Sequence, residues 1–158
     1  STPVTSVIWT ATSSAFSAWG ECQSETHDMK FGYTIVYVPD VAESLAFFEN
    51  AFGLSRRFLH ESGAYGELET GPTTLAFAAH ELGDTNFPGG HVTAHSSVRP
   101  LGFEVAFVTL DVHAAHATAI AAGARELAPP KEKPWGQVVS YVRCPDGTLV
   151  ELCTPISA

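Results

Sequence analysis

The chain is poor in basic residues. It contains 8 Lys or Arg residues against 17 Asp or Glu residues in a length of 158, which gives a formal net charge of -9. Nucleic acids and anionic membranes attract positively charged surfaces, so this balance disfavours both as partners. The same balance is compatible with a cationic partner.

Cysteine is also scarce, and the sequence has no long apolar run. The three cysteines are odd in number and lack zinc-knuckle spacing, which favours reduced thiols in a cytoplasmic protein. No apolar stretch approaches the ~18 residues that are needed to cross a bilayer. The hydrophobic content of 45% is enough for one folded domain with a real core.

The first 28 residues differ from the rest of the chain. They contain no Lys or Arg, whereas a secretory signal needs a basic start before its apolar run. The only methionine, Met29, stands just before a well-patterned strand. Residues 1–28 are therefore predicted to be an extension outside the core fold, which begins at residue 29.

Residues 29–82 have the pattern of one βαβββ module. The stretch from Phe31 to Val38 is rich in β-branched and aromatic residues and predicts a strand. A helix follows, with Asp40 as its N-cap and Gly53 at its end. Further strands are predicted at 57–60, 65–69 and 73–79.

The same order recurs in residues 101–158, after a polar linker at 83–100. A strand is predicted at 103–109, a helix from Asp111 to Ala122, and strands near 137–143 and 148–153. The repeat predicts an α+β fold in which two βαβββ modules form a curved mixed sheet with a cavity.

One face of each module's strands is left open by its single helix, and this face should line the cavity. In the second module the alternation places Glu104 and Glu151 there, and in the first module it places Tyr33 there. Matching GPTTL with DGTL makes Phe77 the counterpart of Glu151. Two carboxylates in an apolar cavity favour neutralisation by a metal ion, a shared proton or a cationic ligand, whereas on a water-filled face both would simply be solvated.

Two stretches resemble a known group. VPDVAESLAFFENAFGL in the first module, and KPWGQ followed by YVRCPDGTLVEL in the second, are similar to the vicinal oxygen chelate superfamily. That group includes glyoxalase I, extradiol dioxygenases and bleomycin-resistance proteins. The resemblance covers about residues 29–155 and implies the paired-module fold. It is less specific for function, because this fold hosts both metal enzymes and metal-free binders.

The resemblance also implies where a metal would bind. Metal-dependent members have four ligands of His, Gln or Glu type, and the corresponding positions here are Tyr33, Phe77, Glu104 and Glu151. A divalent ion needs three or four suitable ligands, and only the two glutamates qualify. The favoured interpretation is therefore no metal cofactor, with a divalent ion held by Glu104 and Glu151 as the alternative.

The histidine pairs do not change this interpretation. His91 and His95 are four residues apart, but the glycines and serines around them indicate a loop, so they are interpreted as linker polarity. His113 and His116 are interpreted as part of a helix face.

The leading hypothesis is a metal-free small-molecule binding protein of the bleomycin-resistance type, which sequesters a cationic or aromatic compound. Its predicted ligand-binding residues are Tyr33, Phe77, Glu104, Trp135 and Glu151, with Trp135 placed to stack on a planar ligand. The resemblance implies a homodimer, because related binders complete the cavity with the partner's modules. The main alternative is a glyoxalase-like lyase or isomerase that uses Glu151 as a general base, or as a metal ligand with Glu104. A third interpretation is an accessory protein whose cavity has no small-molecule role.

Overall fold

The computed structural model describes residues 29–156 of the chain. The predicted extension at residues 1–28 lies outside the described residues. Within the described range the chain forms an α+β fold with three helices and two mixed four-stranded sheets. None of these helices is long and apolar enough to cross a membrane.

The first module builds the first sheet. Its elements are β1 (Tyr33–Val38), α1 (Val41–Phe52), β2 (Ser55–Leu59), β3 (Tyr65–Glu69) and β4 (Thr74–Ala79), with the strands in the order β1-β4-β3-β2. Asp40 caps α1, since its Oδ1 accepts a hydrogen bond from the Glu43 N–H at 2.9 Å. Gly53 ends the helix with a φ of 68°, a conformation that glycine adopts without strain. The predicted limits of this helix are confirmed.

The second module repeats the first. After α2 (His80–Asn86) come β5 (Glu104–Val108), α3 (Val112–Ala122), β6 (Arg125–Glu132), β7 (Val138–Arg143) and β8 (Leu149–Cys153), with the strands in the order β5-β8-β7-β6. In both modules the first and last strands are parallel neighbours. Hydrogen bonds between strands thus define one sheet for each module rather than one sheet shared by both.

Two elements were not predicted from the sequence. The strand β6 contains Pro129 and Pro130, which argue against a central strand, but β6 is an edge strand, where proline is tolerated. The helix α2 lies partly in the predicted linker. Its sequence HELGDTN has a single large apolar residue, so it carries no helical periodicity.

One apolar core joins the two modules. The ring of Phe48 on α1 packs edge-on against Phe77 of β4, with centroids 4.8 Å apart. Phe52, at the end of the same helix, contacts Phe107 of β5 at 5.0 Å. Because α1 packs against strands of both sheets, the positions of the two open faces are coupled through this core.

The prediction that Phe77 lies on the open face is wrong. The parallel pairing of β1 with β4 aligns Val36 with Phe77 and Ile35 with Ala76. Phe77 is 0% exposed and faces the helices, so Ala76 takes the open-face position. The sequence comparison of the two modules was one residue out of register, and such a shift exchanges the two faces of a strand. Leu75 and Ala79 lie on the same face as Phe77, so they also belong to the core and not to the open face.

Candidate functional site

Two glutamates lie together on the open face of the second sheet. In the parallel pairing of β5 with β8, Glu104 is aligned with Leu149, and Ala106 with Glu151. Partial burial raises the pKa of Glu104, and a hydrogen bond with Glu151 and the charge of Glu151 raise it further. The sequence predicted that these two side chains would be neighbours, and the structure places them so. Two carboxyl groups this close are harder to ionise together than two separate ones.

Tyr141 on β7 holds Glu151 in place. Its hydroxyl donates a hydrogen bond to Glu151 Oε2 at 3.0 Å. Burial, this hydrogen bond and the nearby carboxylates raise the pKa of Tyr141 to about 12, so the hydroxyl keeps its proton at neutral pH. The result is an oriented Glu151 beside Glu104, whose pKa is raised.

Sequence reasoning missed Tyr141, although the signal was present. The turn at Pro145-Asp146-Gly147 closes a hairpin in which the Cys144 N–H bonds to the Thr148 carbonyl at 2.9 Å. Counting the same number of residues outward from this turn along both strands places Tyr141 opposite Glu151, and this is the observed register. The hairpin rule alone was enough to find it.

An apolar cavity of about 260 Å³ lies where β5 and β8 begin, and neither Glu104 nor Glu151 lines it. Its apolar lining includes Ile35, Tyr37, Phe103 and Leu149. Phe103 precedes Glu104 in the chain, and Leu149 is aligned with Glu104 in the sheet. The cavity thus reaches the residues next to Glu104 in the chain and in the sheet.

The acids on the open face of the first sheet already have a cation. Arg57 donates to Glu67 Oε2 at 3.0 Å and to Glu69 Oε1 at 2.8 Å. Tyr65 donates to the other oxygen of Glu67 at 2.9 Å, in the way that Tyr141 donates to Glu151. Within residues 29–156, by contrast, the ion pairs do not include Glu104 or Glu151.

The comparison with known families agrees with this architecture. A sequence model of the Glyoxalase/Bleomycin resistance protein/Dioxygenase superfamily matches residues 30–152. The chain belongs to this superfamily. Among curated protein sequences, none matches the chain.

Solved structures share the superfamily fold. A glyoxalase-related enzyme from Fulvimarina pelagi is 21% identical, with a TM-score of 0.68 over 80% of this chain and 88% of that chain. A protein of unknown function from Agrobacterium tumefaciens str. C58 is 26% identical, with a TM-score of 0.65 over 83% and 98%. TioX from Micromonospora sp. ML1 is 20% identical, with a TM-score of 0.59 over 80% and 98%. These similarities establish the fold and leave the ligand open.

The residues at the superfamily's metal positions do not fit a divalent metal ion in this member. With the register corrected, these positions hold Tyr33, Ala76, Glu104 and Glu151. A phenol, a methyl group and two carboxylates fall short of the three or more good donors that such an ion requires. Across the described part of the chain, no three His, Cys, Asp or Glu side chains are grouped to hold a metal.

The remaining predicted residues occupy other places. Tyr33, 55% exposed, lies at the start of β1 on the first sheet. Trp135, 64% exposed, donates from Nε1 to Gln137 Oε1 at 2.9 Å. Gln137 in turn donates to the Thr154 carbonyl at 2.8 Å, which ties this turn to the end of β8. Of the five predicted ligand-binding residues, Glu104 and Glu151 are brought together, Tyr33 and Trp135 are exposed elsewhere, and Phe77 is in the core.

Proposed function

We propose that this superfamily member binds a small cationic compound with an aromatic or apolar part, without a metal ion, on the open face of the second sheet. The observation that supports this proposal is the contact between Glu104 and Glu151, which leaves one carboxyl group with a raised pKa. A cation placed between them removes the repulsion that opposes the second ionisation, whereas a neutral compound does not.

The apolar cavity supports the second half of the proposal. Phe103, which is 58% exposed, and Tyr37 offer ring faces within the same cavity. An aromatic face attracts a nearby cation by about 0.5–2 kcal/mol, depending on how far water is excluded. Sequestration in such a site needs no catalytic group. The resemblance to bleomycin-resistance proteins suggests a cationic antibiotic as the bound compound.

A second copy of the chain is the proposed partner. Large apolar side chains remain exposed on the open faces, among them Ile35 on the first sheet and Val108, at 65%, on the second. Burial of such side chains stabilises association, and a partner that covers them would also close the site around a ligand. Sedimentation velocity should show a dimer, and a monomer at micromolar concentration would contradict this part of the proposal. The free thiols of Cys144 and Cys153 are consistent with the proposed cytoplasmic location.

Glu151→Gln should weaken the binding of cationic ligands far more than that of neutral ones. The substitution keeps the size of the side chain but removes the charge that Tyr141 orients. A hydrogen bond to a charged group contributes about 1.5–3 kcal/mol. We therefore expect an affinity loss of about 10- to 150-fold for cations. Isothermal titration calorimetry with bleomycin and benzyltrimethylammonium, against benzyl alcohol as the neutral compound, measures this difference.

Glu61→Gln is the matched control, because Glu61 is exposed in the turn after β2. It removes the same net charge from the chain and should leave the affinities of all three compounds unchanged. Equal losses in both variants would show that only the overall charge matters, and would argue against the site.

A glyoxalase-like lyase or isomerase is the second candidate. Glu104 and Glu151 also favour this function, because the oriented Glu151 could remove a proton from the carbon next to a carbonyl group while Glu104 keeps a proton of its own. Elemental analysis separates the two functions. Stoichiometric metal that is lost in a Glu104→Gln, Glu151→Gln double variant would contradict metal-free binding and support the enzyme.

A further inference from the structure

Three histidines from separate parts of the chain form a hydrogen-bonded row beside the apolar cavity. His80 begins α2, while His91 and His95 lie in the segment before β5. His80 Nδ1 is 2.7 Å from His91 Nε2, and His80 Nε2 is 3.3 Å from His95 Nδ1. His91 and His95, which were interpreted from the sequence as polar linker residues, are thus connected through His80 to the end of β4.

The row holds the cavity wall in position. His91 packs on the ring of Tyr37 on β1, with centroids 4.8 Å apart. A Cβ atom at Gly83 would lie 3.0 Å from both of these rings, so α2 fits closely against them. His91 lines the apolar cavity together with Val92 and Ala94. The shape of the cavity therefore depends on where the row holds this segment.

Proton counting limits the charge that the row can carry. Each imidazole–imidazole hydrogen bond needs one nitrogen with a proton and one without. Three rings have six nitrogens, and two bonds leave two of them bare, so the row keeps both bonds up to one positive charge in total. A second positive charge sets two N–H groups against each other and breaks one bond.

Charged groups on several neighbouring elements face the row. The acidic groups are Glu81 and Asp84 on α2, and the basic groups are Arg125 and Arg143, which line a cavity with His95. Asp84 Oδ1 is 3.8 Å from His91 Nδ1, a nitrogen that is otherwise buried without a partner. Asp84 therefore places a negative charge at the His91 end of the row, and the two arginines place positive charge near the His95 end.

We propose that the row of His80, His91 and His95 is a proton-operated latch. With at most one positive charge it holds residues 91–93 against the first sheet, and a second charge releases them and opens this part of the cavity wall, while Arg143 keeps Ala94 in place. The latch belongs to the free protein and does not depend on which ligand the cavity takes, so it stands apart from the proposed function.

The direction of the pH effect follows from His80. Partial burial, and then the neighbouring His91 and His95, lower the pKa of His80 below its usual 6.5. A released His80 binds a proton more readily than a latched one, so protons favour release. The latched state has its full stability above about pH 6.5 and loses it as the pH falls from there through the lowered pKa of His80.

Nuclear magnetic resonance of the full chain, without ligand or metal, tests the latch. We expect backbone order parameters of residues 91–93 near about 0.85 at pH 7.5 and below about 0.6 at pH 5. The fall should coincide with the uptake of the second proton by the row, followed on all three imidazoles in the same samples. Order parameters that stay constant while the row takes up its second proton would overturn the proposal.

His80→Gln replaces the central imidazole with a side chain that does not titrate in this range, so the pH dependence of residues 91–93 should disappear. His113→Gln, at an exposed position of α3, is the matched control and should respond like the unmodified chain. The same pH response in His80→Gln would refute the latch. So would stoichiometric Zn²⁺ binding that shifts all three histidine spectra together, since the row would then be a metal site.

Discussion

Phe77→Ala is expected to lower the free energy of unfolding by about 3–5 kcal/mol, the range found when a buried phenylalanine is removed. Phe77 is 0% exposed and its ring packs on Phe48 of α1. Removal of the ring leaves a cavity in the core that joins the two modules. Helix α1 cannot move to fill this cavity without losing the contact of its Phe48 with Phe107 of the other sheet. Chemical denaturation, followed by circular dichroism, measures the loss.

Tyr33→Ala is the control for this prediction. Tyr33 is more than half exposed on the open face, so its removal should change stability by less than about 1 kcal/mol. Similar losses for the two substitutions would mean that Phe77 is not in the core, and would restore the open-face position that the sequence comparison assigned to it.

Gly147→Ala should be the most damaging glycine substitution in the second module. Gly147 has a φ of 92°, and a Cβ atom there would lie 2.2 Å from the carbonyl carbon of Ala94. The backbone strain costs about 1–3 kcal/mol, and relief of the contact requires displacement of the main chain at Ala94. That displacement would also break the hydrogen bonds of 2.7 Å that Arg143 donates to the carbonyls of Ala94 and Ser97.

Gly136→Ala separates the contact from the strain. Gly136 has a similar φ of 87°, but a Cβ atom there would meet no atom within 4 Å. We expect Gly147→Ala to be less stable than Gly136→Ala in thermal and chemical denaturation. Equal losses would show that the segment at Ala94 does not press against the turn.

The elements with local signals could be predicted from the sequence. Asp40 and Gly53 mark the two ends of α1, and Asp111 and Gly123 mark those of α3, because caps and left-handed glycines act within a few residues. The open-face positions of Glu104 and Glu151 followed from alternation within single strands, and the contact between them followed from the family's strand order.

Features that depend on pairing between distant segments could not be predicted from local sequence signals. Phe77 was misplaced because the alignment of β4 with β8 needed the register with β1, which no turn near β4 specifies. His80 was overlooked because its partners His91 and His95 are 11 and 15 residues away across a loop. Tyr141 is different, because the local turn sets the register of its hairpin and so pairs it with Glu151.

The glutamates on the open faces of the two sheets differ in their charged neighbours. On the first sheet Glu67 has both a tyrosine donor and the guanidinium of Arg57. On the second sheet Glu151 also has a tyrosine donor, Tyr141 on the neighbouring strand, but its charged neighbour is another acid. The second sheet therefore presents, ready oriented, a carboxylate pair that a cationic ligand can neutralise.

The pH dependence of cation affinity tests this claim most directly. Glu104 loses its proton above the usual 4.5 because its pKa is raised, so the affinity for benzyltrimethylammonium should rise as the pH increases from 4.5 to neutrality. Calorimetry should show this rise in the unmodified chain and a clearly smaller rise in Glu104→Gln, with benzyl alcohol insensitive to pH in both. The same rise in Glu104→Gln, or equal affinities for the two compounds at all pH values, would contradict the account.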